Sequence, residues 1–321
     1  MTCSRKEGFT VFTVQSLLDD YQKRTTLEGA EKLIFTGIGD RDVYNITAPF
    51  ENEGEWIIAG RVEARDTEHS EVVFFVEKNN VWTPKEDLRT YQLQDPFLCF
   101  IHGQLVFGGV EIFPHPENHN ALSWRTVFYK GDNLSKMERF TTGPDGMKDI
   151  RLIELTNGTI GVFTRPQGEK GGRGKIGFTA IDNLDELQSE TIANASLIQE
   201  HFVEDEWGGA NEVHLLANGE IGILGHIARF DHEGSRHYYP ITCHYDPTLN
   251  RITNMEIIAT RDDFPEGPAK RTDLQDVLFS GGLIRKENGQ AVLYVGVSDA
   301  EAHRVTLTDP FAKYEKDSMI N

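Results

Sequence analysis

A chain of 321 residues, 38% of them hydrophobic, is long enough to bury a core without disulfides or metals, and its length suits one large all-β domain. Acidic residues outnumber basic ones by 51 to 32, and the formal charge of −19 disfavours nucleic acid and anionic membranes as partners. The three cysteines are scattered and form no CxxC pair, which argues against a disulfide scaffold and a structural zinc site.

The N-terminal region carries the clearest helical pattern. Leu17, Leu18 and Tyr21 make one apolar face behind Ser16, which predicts a helix over residues 14–23, and a weaker pattern covers residues 182–188. The first residues contain no apolar run of signal-peptide length, and no other segment approaches the roughly 20 apolar residues that span a bilayer. We therefore expect a cytoplasmic protein.

The rest of the chain repeats one pattern five times. A polar or acidic residue is followed by an apolar strand, a turn that contains glycine, and a second apolar strand. The repeats begin between 50 and 65 residues apart, at Asn45, Asp95, Asp149, Asn211 and Asp276. Turns such as NGT, NGE and NGQ supply the backbone freedom that a hairpin needs.

Five hairpin units at this spacing predict a five-bladed β-propeller with four strands in each blade. The run KLIFTG, near residues 33–37, has no partner in the first repeat, and the last repeat is one strand short. We expect this N-terminal strand to complete the last blade and close the ring. Because no linker or change in composition divides the chain, residues 1–321 are predicted to form a single domain.

Propeller geometry brings the heads of the repeats together. Inner strands line a central channel, so the residues that head them should point into one shared pocket, where convergent polar groups suit sugar recognition. These predicted substrate-binding residues are Asn45, Asp149, Asn211, Glu212 and Asp276. Asp and Asn at strand starts also make turns, and that alternative stays open at each single position.

Asp95, in the sequence LQDP, is the first candidate for catalysis. A carboxyl group at the channel rim can be partly desolvated, which raises its pKa and suits it to act as a general acid. Asp299 is a further acid at a comparable place. Glycosidases usually pair two carboxylates, whereas an inverting phosphorylase needs one, because phosphate is the nucleophile.

Basic residues also recur on or just before the predicted inner strands. In so acidic a chain they are candidates for binding an oxyanion or sugar hydroxyls. Those relevant to the site are Arg61, Lys148, Arg165, His226 and Arg236. No nucleotide-binding, lipase-type or zinc-protease motif occurs, and His226 lacks the spacing of a metal ligand, so we expect no metal and no cofactor.

Several short motifs resemble, in the same order, those of the β-mannoside phosphorylases of glycoside hydrolase family 130. LQDPF is similar to that family's EDPR, MKDIRLIEL to its KD-x-x-LFP, ILGHI to its YHG, and LFSGGLIRKENGQAVLYVGVSD to its closing pattern. The phrases DVYNITAPF, GRVEARDTEHSEVVFF and RHYYPITCHYDP resemble more closely the DUF1861 family, five-bladed mannosyltransferases and phosphorylases of β-1,2-mannan. The resemblance extends from about Asn45 to Asp299.

The resemblance implies roles for individual residues. Asp95 would be the catalytic acid, and the mannose at the cleavage subsite would be held by Asn45, Arg61 and Asp299. Phosphate would be faced by Lys148 and His226, with help from Arg165, Arg236 and Tyr239. In two departures from the EDPR motif, Gln94 replaces its Glu and Phe97 its Arg, which alters the surroundings of the acid.

The expected function is an inverting phosphorylase or mannosyltransferase for β-mannosides, favouring β-1,2-linked oligosaccharides. Its partners would be a small carbohydrate and inorganic phosphate as co-substrate. A hydrolase on the same fold is one alternative and would need a general base such as Glu212 or Asp276 across the sugar from Asp95. A carbohydrate-binding propeller without catalysis is the other. Linkage, chain length, acceptor and oligomeric state stay open.

Overall fold

The computed structural model describes residues 11–24, 27–118, 120–199 and 201–317. The chain is almost entirely β-structure, arranged as five antiparallel meanders, here numbered one to five in chain order. Cys3 lies outside the described residues, and Cys99 and Cys243 are free thiols. None of the helices in the described ranges has the length and apolarity needed to cross a bilayer.

The first three meanders are separate sheets. Meander one contains β2 (Asp42–Tyr44), β3 (Phe50–Asn52), β4 (Glu55–Glu63), β5 (Ser70–Lys78) and β6 (Val81–Pro84). Meander two contains β7 (Gln94–Ile101), β8 (Gln104–Pro114), β9 (Leu122–Gly131) and β10 (Glu138–Thr142). Meander three contains β11 (Arg151–Glu154), β12 (Ile160–Thr164), β13 (Gly177–Ile181) and β14 (Ser196–Leu197).

The last two meanders belong to one eight-stranded sheet. Meander four contains β15 (Trp207–Leu215), β16 (Ile221–Phe230), β17 (Arg236–Asp246) and β18 (Arg251–Ile257). Meander five contains β19 (Asp276–Arg285), β20 (Gln290–Val297), β21 (Glu301–Thr308) and the N-terminal β1 (Glu31–Lys32). A short parallel pairing joins the two, with His237 opposite Asp276 and Tyr238 opposite Val277.

The N-terminal segment spans two meanders. β1 pairs antiparallel with β21, and the Leu33 amide donates to the Ala302 carbonyl at 2.9 Å. Phe35, in the middle of the predicted strand, forms an isolated parallel bridge with Trp82 of β6. The segment thus contacts both the last meander and the outer strand of the first.

The hydrophobic core is divided among successive meanders. Meanders one and two share a cluster around Phe74 and Phe107, and further clusters join two to three, three to four and four to five. Another cluster packs Phe75 of meander one against Val292 and Tyr294 of meander five. Each meander therefore buries both of its faces against neighbours, which explains why strands such as β16 and β20 are buried along almost their whole length.

Helices are short and peripheral. They are α1 (Val14–Tyr21), α2 (Gly168–Gly171), α3 (Ser189–Asn194) and α4 (Ala312–Asp317), with 3-10 turns at Leu134–Lys136, Leu184–Glu186, Arg261–Asp263 and Thr272–Leu274. The predicted N-terminal helix corresponds to α1, which Thr13 caps and Ser16 completes as a capping box. The predicted helix at residues 182–188 is a single 3-10 turn.

Candidate active site

A cavity of about 760 Å³ opens at the inner strands and takes residues from all five meanders. Its volume falls in the range of roughly 300–1,000 Å³ that is usual for small-molecule sites. Eight of the predicted site residues line it: Asn45, Arg61, Asp95, Lys148, Arg165, His226, Arg236 and Asp299.

Three of the five residues that head the repeats share an uncommon backbone conformation. Asn45, Asp95 and Asp149 have φ values of 45°, 47° and 58°, in the left-handed region, as does Asp299 (51°) in the turn between β20 and β21. Among residues other than glycine, Asn and Asp tolerate this region best, because their short polar side chains bond locally. The residue type that the repeats place at these heads is thus one that can turn the strand and still present a polar group.

Asp95 is surrounded by three donors. Asn45 Nδ2 donates to Asp95 Oδ1 at 2.8 Å, Arg61 Nη1 lies 3.1 Å from the same oxygen, and Lys148 Nζ lies 3.5 Å from Oδ2. Arg61 is fixed in turn by Glu63, whose Oε2 accepts from Nη2 at 2.6 Å, and by Ser70 Oγ, which accepts from Nε at 2.9 Å. The carboxylate is therefore held rigidly at the cavity wall.

The charge state of Asp95 differs from our expectation. Burial raises its pKa, but Arg61, Lys148 and the hydrogen bond from Asn45 together lower it by more, so the net pKa lies well below the ordinary value. The prediction of a raised pKa is wrong for the unliganded site, because two cations outweigh desolvation. Desolvation raises the pKa of Asp299 instead; Arg61 opposes this, and the nearby charge of Asp95 adds to it.

Several cations line the cavity. Every guanidinium nitrogen of Arg165 has a protein partner: Nε donates to the Gly208 carbonyl at 2.9 Å, Nη2 to the Arg173 carbonyl at 3.3 Å, and Nη1 lies 3.3 Å from Asp149 Oδ2. Arg236 pairs with Asp273. Lys148, whose side chain is 35% exposed, is the more accessible of the two cations next to Asp95.

His226 contributes a neutral ring. Burial and the nearby cations lower its pKa to about 3, although Asp149 opposes the shift, so the ring is uncharged at physiological pH. Its Nδ1 lies 2.8 Å from Asn211 Oδ1, which makes Nδ1 the protonated nitrogen and leaves Nε2 as an acceptor. His226 can therefore accept a hydrogen bond from a hydroxyl group but does not add positive charge.

Five predicted residues do not line this cavity. Asp149 lies behind Arg165, and Asn211 orients His226 from a bulge in β15. Glu212 faces a separate cavity that also contains Arg151, and its Oε2 accepts from the Leu283 amide at 2.7 Å. Asp276 Oδ2 accepts from Tyr239 Oη at 2.6 Å beside α1, which places both residues in another cavity.

Sequence reasoning missed several residues of the cavity wall. These residues are Glu68, Arg173, Phe230, Tyr238 and Arg271. Arg173 lies between glycines in the segment that joins β12 to β13, and its guanidinium carbon lies 5.1 Å from the Phe230 ring centroid. A cation between glycines in a segment that joins two strands was the available signal. Among the described residues, no three His, Cys, Asp or Glu side chains are grouped so as to hold a metal.

Comparison with known proteins places these features in a family. The model of the family described as "Protein of unknown function (DUF1861)" matches residues 19–313. A mannose phosphorylase from Leishmania mexicana, solved with a phosphate ion, is 32% identical, covers 94% of each chain and superimposes with a TM-score of 0.86. A GDP-Man-dependent mannosyltransferase from the same organism is 35% identical over 93% of this chain and 95% of its own, with a TM-score of 0.84.

A curated relative is more distant. The 4-O-β-D-mannosyl-D-glucose phosphorylase of Bacteroides fragilis is 27% identical over 165 residues, which are 48% of this chain. The chain spans only 40% of that relative's length.

Proposed function

The chain belongs to the DUF1861 family, and we propose that it is a mannoside phosphorylase and mannosyltransferase that acts on a sugar bound in the 760 Å³ cavity. The observation that carries the proposal is the position of Asp95, clamped by Asn45 and Arg61 and only 3.5 Å from the accessible ammonium of Lys148. A carboxyl group next to an oxyanion site is what transfer between a sugar and phosphate requires. Similarity to the two Leishmania mexicana enzymes over more than 90% of the chain supports it.

In the proposed reaction the cavity binds a β-1,2-linked mannoside and inorganic phosphate, and the configuration at the anomeric carbon inverts. A phosphate oxygen attacks the anomeric carbon, the bond to the glycosidic oxygen breaks, and the proton carried by Asp95 ends on the leaving oxygen. Asn45, Arg61 and Asp299 hold the mannose, and Lys148, Arg236 and His226 face phosphate. The products are α-mannose 1-phosphate and a shortened sugar.

The charge of Asp95 suits the residue to the synthetic direction of this reaction without a prior change of protonation, but not to phosphorolysis. Its lowered pKa keeps the carboxylate ionised, which suits it to take a proton from an acceptor hydroxyl during synthesis. For phosphorolysis, Asp95 has to gain a proton first. A phosphate dianion bound to Lys148 would weaken the attraction between that ammonium and Asp95, and so would raise the pKa of the acid.

We also propose that the five meanders are the blades of one closed propeller domain. The cluster that packs Phe75 against Val292 and Tyr294 supports closure between the first and last blades, as does the pairing of β1 with β21. The cavity would then be the mouth of the central channel. The hydrolase alternative loses support, because Glu212 and Asp276, the two candidate bases, lie in other cavities.

Product analysis tests the proposal. Purified protein is incubated with β-1,2-mannobiose, with and without inorganic phosphate, as wild type, Asp95→Asn and the control Asp276→Asn. We expect mannose 1-phosphate only with phosphate, at least about 10²-fold less from Asp95→Asn, and wild-type levels from the control. Free mannose released without phosphate would favour a hydrolase. No product from several mannosides, in phosphorolysis or in synthesis, would refute the proposal that the protein is an enzyme.

A further inference from the structure

A groove on the surface of meanders two and three lies beside the active-site cavity. The groove has a volume of about 440 Å³. Trp124 of β9 and Gln167, just after β12, line both spaces. The cavity and the groove therefore adjoin at these two side chains.

The lining of the groove suits a neutral ligand that carries hydroxyl groups. Trp124, Pro166 and Ala193 offer apolar surface, of the kind on which the C–H face of a sugar ring packs. Lys170 is the cation of the lining, and its ammonium already donates to the carbonyls of Ala193 and Ala195 at 2.6 Å each. The carboxylate of Asp145, 55% exposed and 3.5 Å from Arg125 Nη1, balances the charge of Lys170, so the lining offers no excess positive charge to phosphate or a nucleotide.

Gln167 provides a polar group where the two spaces meet. Its Nε2 donates to the Arg173 carbonyl at 2.8 Å, which fixes the amide plane. Within the described ranges its Oε1 has no protein donor, so it can accept from a hydroxyl that passes from the cavity to the groove.

We propose that this groove binds the sugar units of an oligosaccharide that lie beyond the two units flanking the reacting bond, on the side of the leaving or acceptor sugar. The inference rests on the proposed function, and it adds that substrates longer than a disaccharide bind more tightly. The residues that set this preference are Trp124 and Gln167 at the entrance and Asp145 and Ala193 on the walls.

Calorimetry without phosphate tests the groove independently of turnover. Wild type is titrated with β-1,2-mannobiose and with β-1,2-mannotetraose, alongside Ala193→Trp and Asp145→Phe, which fill the groove from opposite walls. Ala193 is exposed at the end of α3, so the new ring has room to enter the groove without displacing the core. Ala180→Trp, on an exposed position of β13 outside the groove, is the matched control.

We expect wild type and Ala180→Trp to bind the tetraose about tenfold more tightly than the biose, and both groove variants to lose that difference while their affinity for the biose stays unchanged. Equal affinity of the wild type for the two sugars would overturn the proposal that the groove binds sugar. Groove variants that still prefer the tetraose would overturn it as well. Binding with the expected preference but without phosphate-dependent turnover would instead refute the proposed reaction and retain the groove.

Discussion

Replacing Lys148 with Gln tests whether its ammonium keeps Asp95 ionised. Lys148 Nζ lies 3.5 Å from Asp95 Oδ2. Two unit charges about 4 Å apart interact by about 1 kcal/mol in water and about 4 kcal/mol at an effective dielectric of about 20. Since one pKa unit corresponds to about 1.4 kcal/mol, the substitution should raise the pKa of Asp95 by roughly 1–3 units.

The sign of the effect on activity follows from the proton that Asp95 handles. Synthesis from mannose 1-phosphate needs the ionised carboxylate, so its rate falls when the pH drops through the pKa of Asp95. In the wild type that pKa lies well below the ordinary value. In Lys148→Gln the fall should begin at a pH about 1–3 units higher.

The assay is the pH dependence of kcat/KM for mannose 1-phosphate in synthesis, from which the acid limb is read. Lys148→Arg keeps the charge and serves as the control. Loss of phosphate binding in Lys148→Gln lowers the whole profile but does not move its limb, and titration of the substrate is common to all variants. Profiles of Lys148→Gln and Lys148→Arg that superimpose after scaling would refute the electrostatic argument.

Three further predictions concern the support of the site. Glu63→Gln removes the carboxylate that pairs with buried Lys270, so urea denaturation should show that the free energy of unfolding falls by about 3–5 kcal/mol. Because the pKa of Glu63 is lowered in the folded protein, the same contribution to stability should vanish as the pH falls. A loss below about 1 kcal/mol would contradict the pairing. His226→Gln replaces a ring nitrogen that accepts a hydrogen bond with an amide that can donate one to an anion. Sulfate should therefore inhibit phosphorolysis about tenfold more strongly in the variant. An unchanged inhibition constant for sulfate would exclude His226 from the anion site. Gly296→Ala places a Cβ 2.1 Å from Asn45 Oδ1 and 2.6 Å from the Asn45 backbone nitrogen, so Asn45 has to shift; KM for the mannoside should rise about tenfold and the melting temperature should fall. A normal KM in a folded variant would show that Asn45 does not hold the sugar.

The repeated hairpins could be read from the sequence because their turns have a local cause. Gly158, Gly219 and Gly289 have φ values of 81°, 82° and 79°, a conformation that glycine adopts without strain. Each follows an asparagine, and Asn-Gly is a common sequence in hairpin turns. The polar heads of the repeats were predictable for a similar reason. Asn45 and Asp95 combine a turn-forming residue type with a position at the start of an apolar strand.

The orientation of individual side chains was less predictable, because it depends on bulges and strand phase. Asn211 is an extra residue in β15, which directs Asn211 towards His226 and Glu212 into another cavity. In β17, Tyr238 lines the active-site cavity and its neighbour Tyr239 bonds Asp276 on the other side of the sheet. Because side chains alternate between the two faces of a strand, the two tyrosines must point in opposite directions, but the sequence alone does not predict which of them faces the cavity.

The distribution of charge connects the fold to its proposed chemistry. The chain carries a net charge of −19, yet six cations and three carboxylates line the cavity: Arg61, Lys148, Arg165, Arg173, Arg236 and Arg271 against Glu68, Asp95 and Asp299. Three of these cations also face carboxylates just outside the lining: Arg61 pairs with Glu63, Arg165 with Asp149 and Arg236 with Asp273, so most of the positive charge of the wall is balanced well within a Debye length of about 8 Å at physiological salt. Lys148 is the cation nearest to Asp95 Oδ2, at 3.5 Å, so in the proposed reaction one ammonium would both bind the anion and set the charge of the acid.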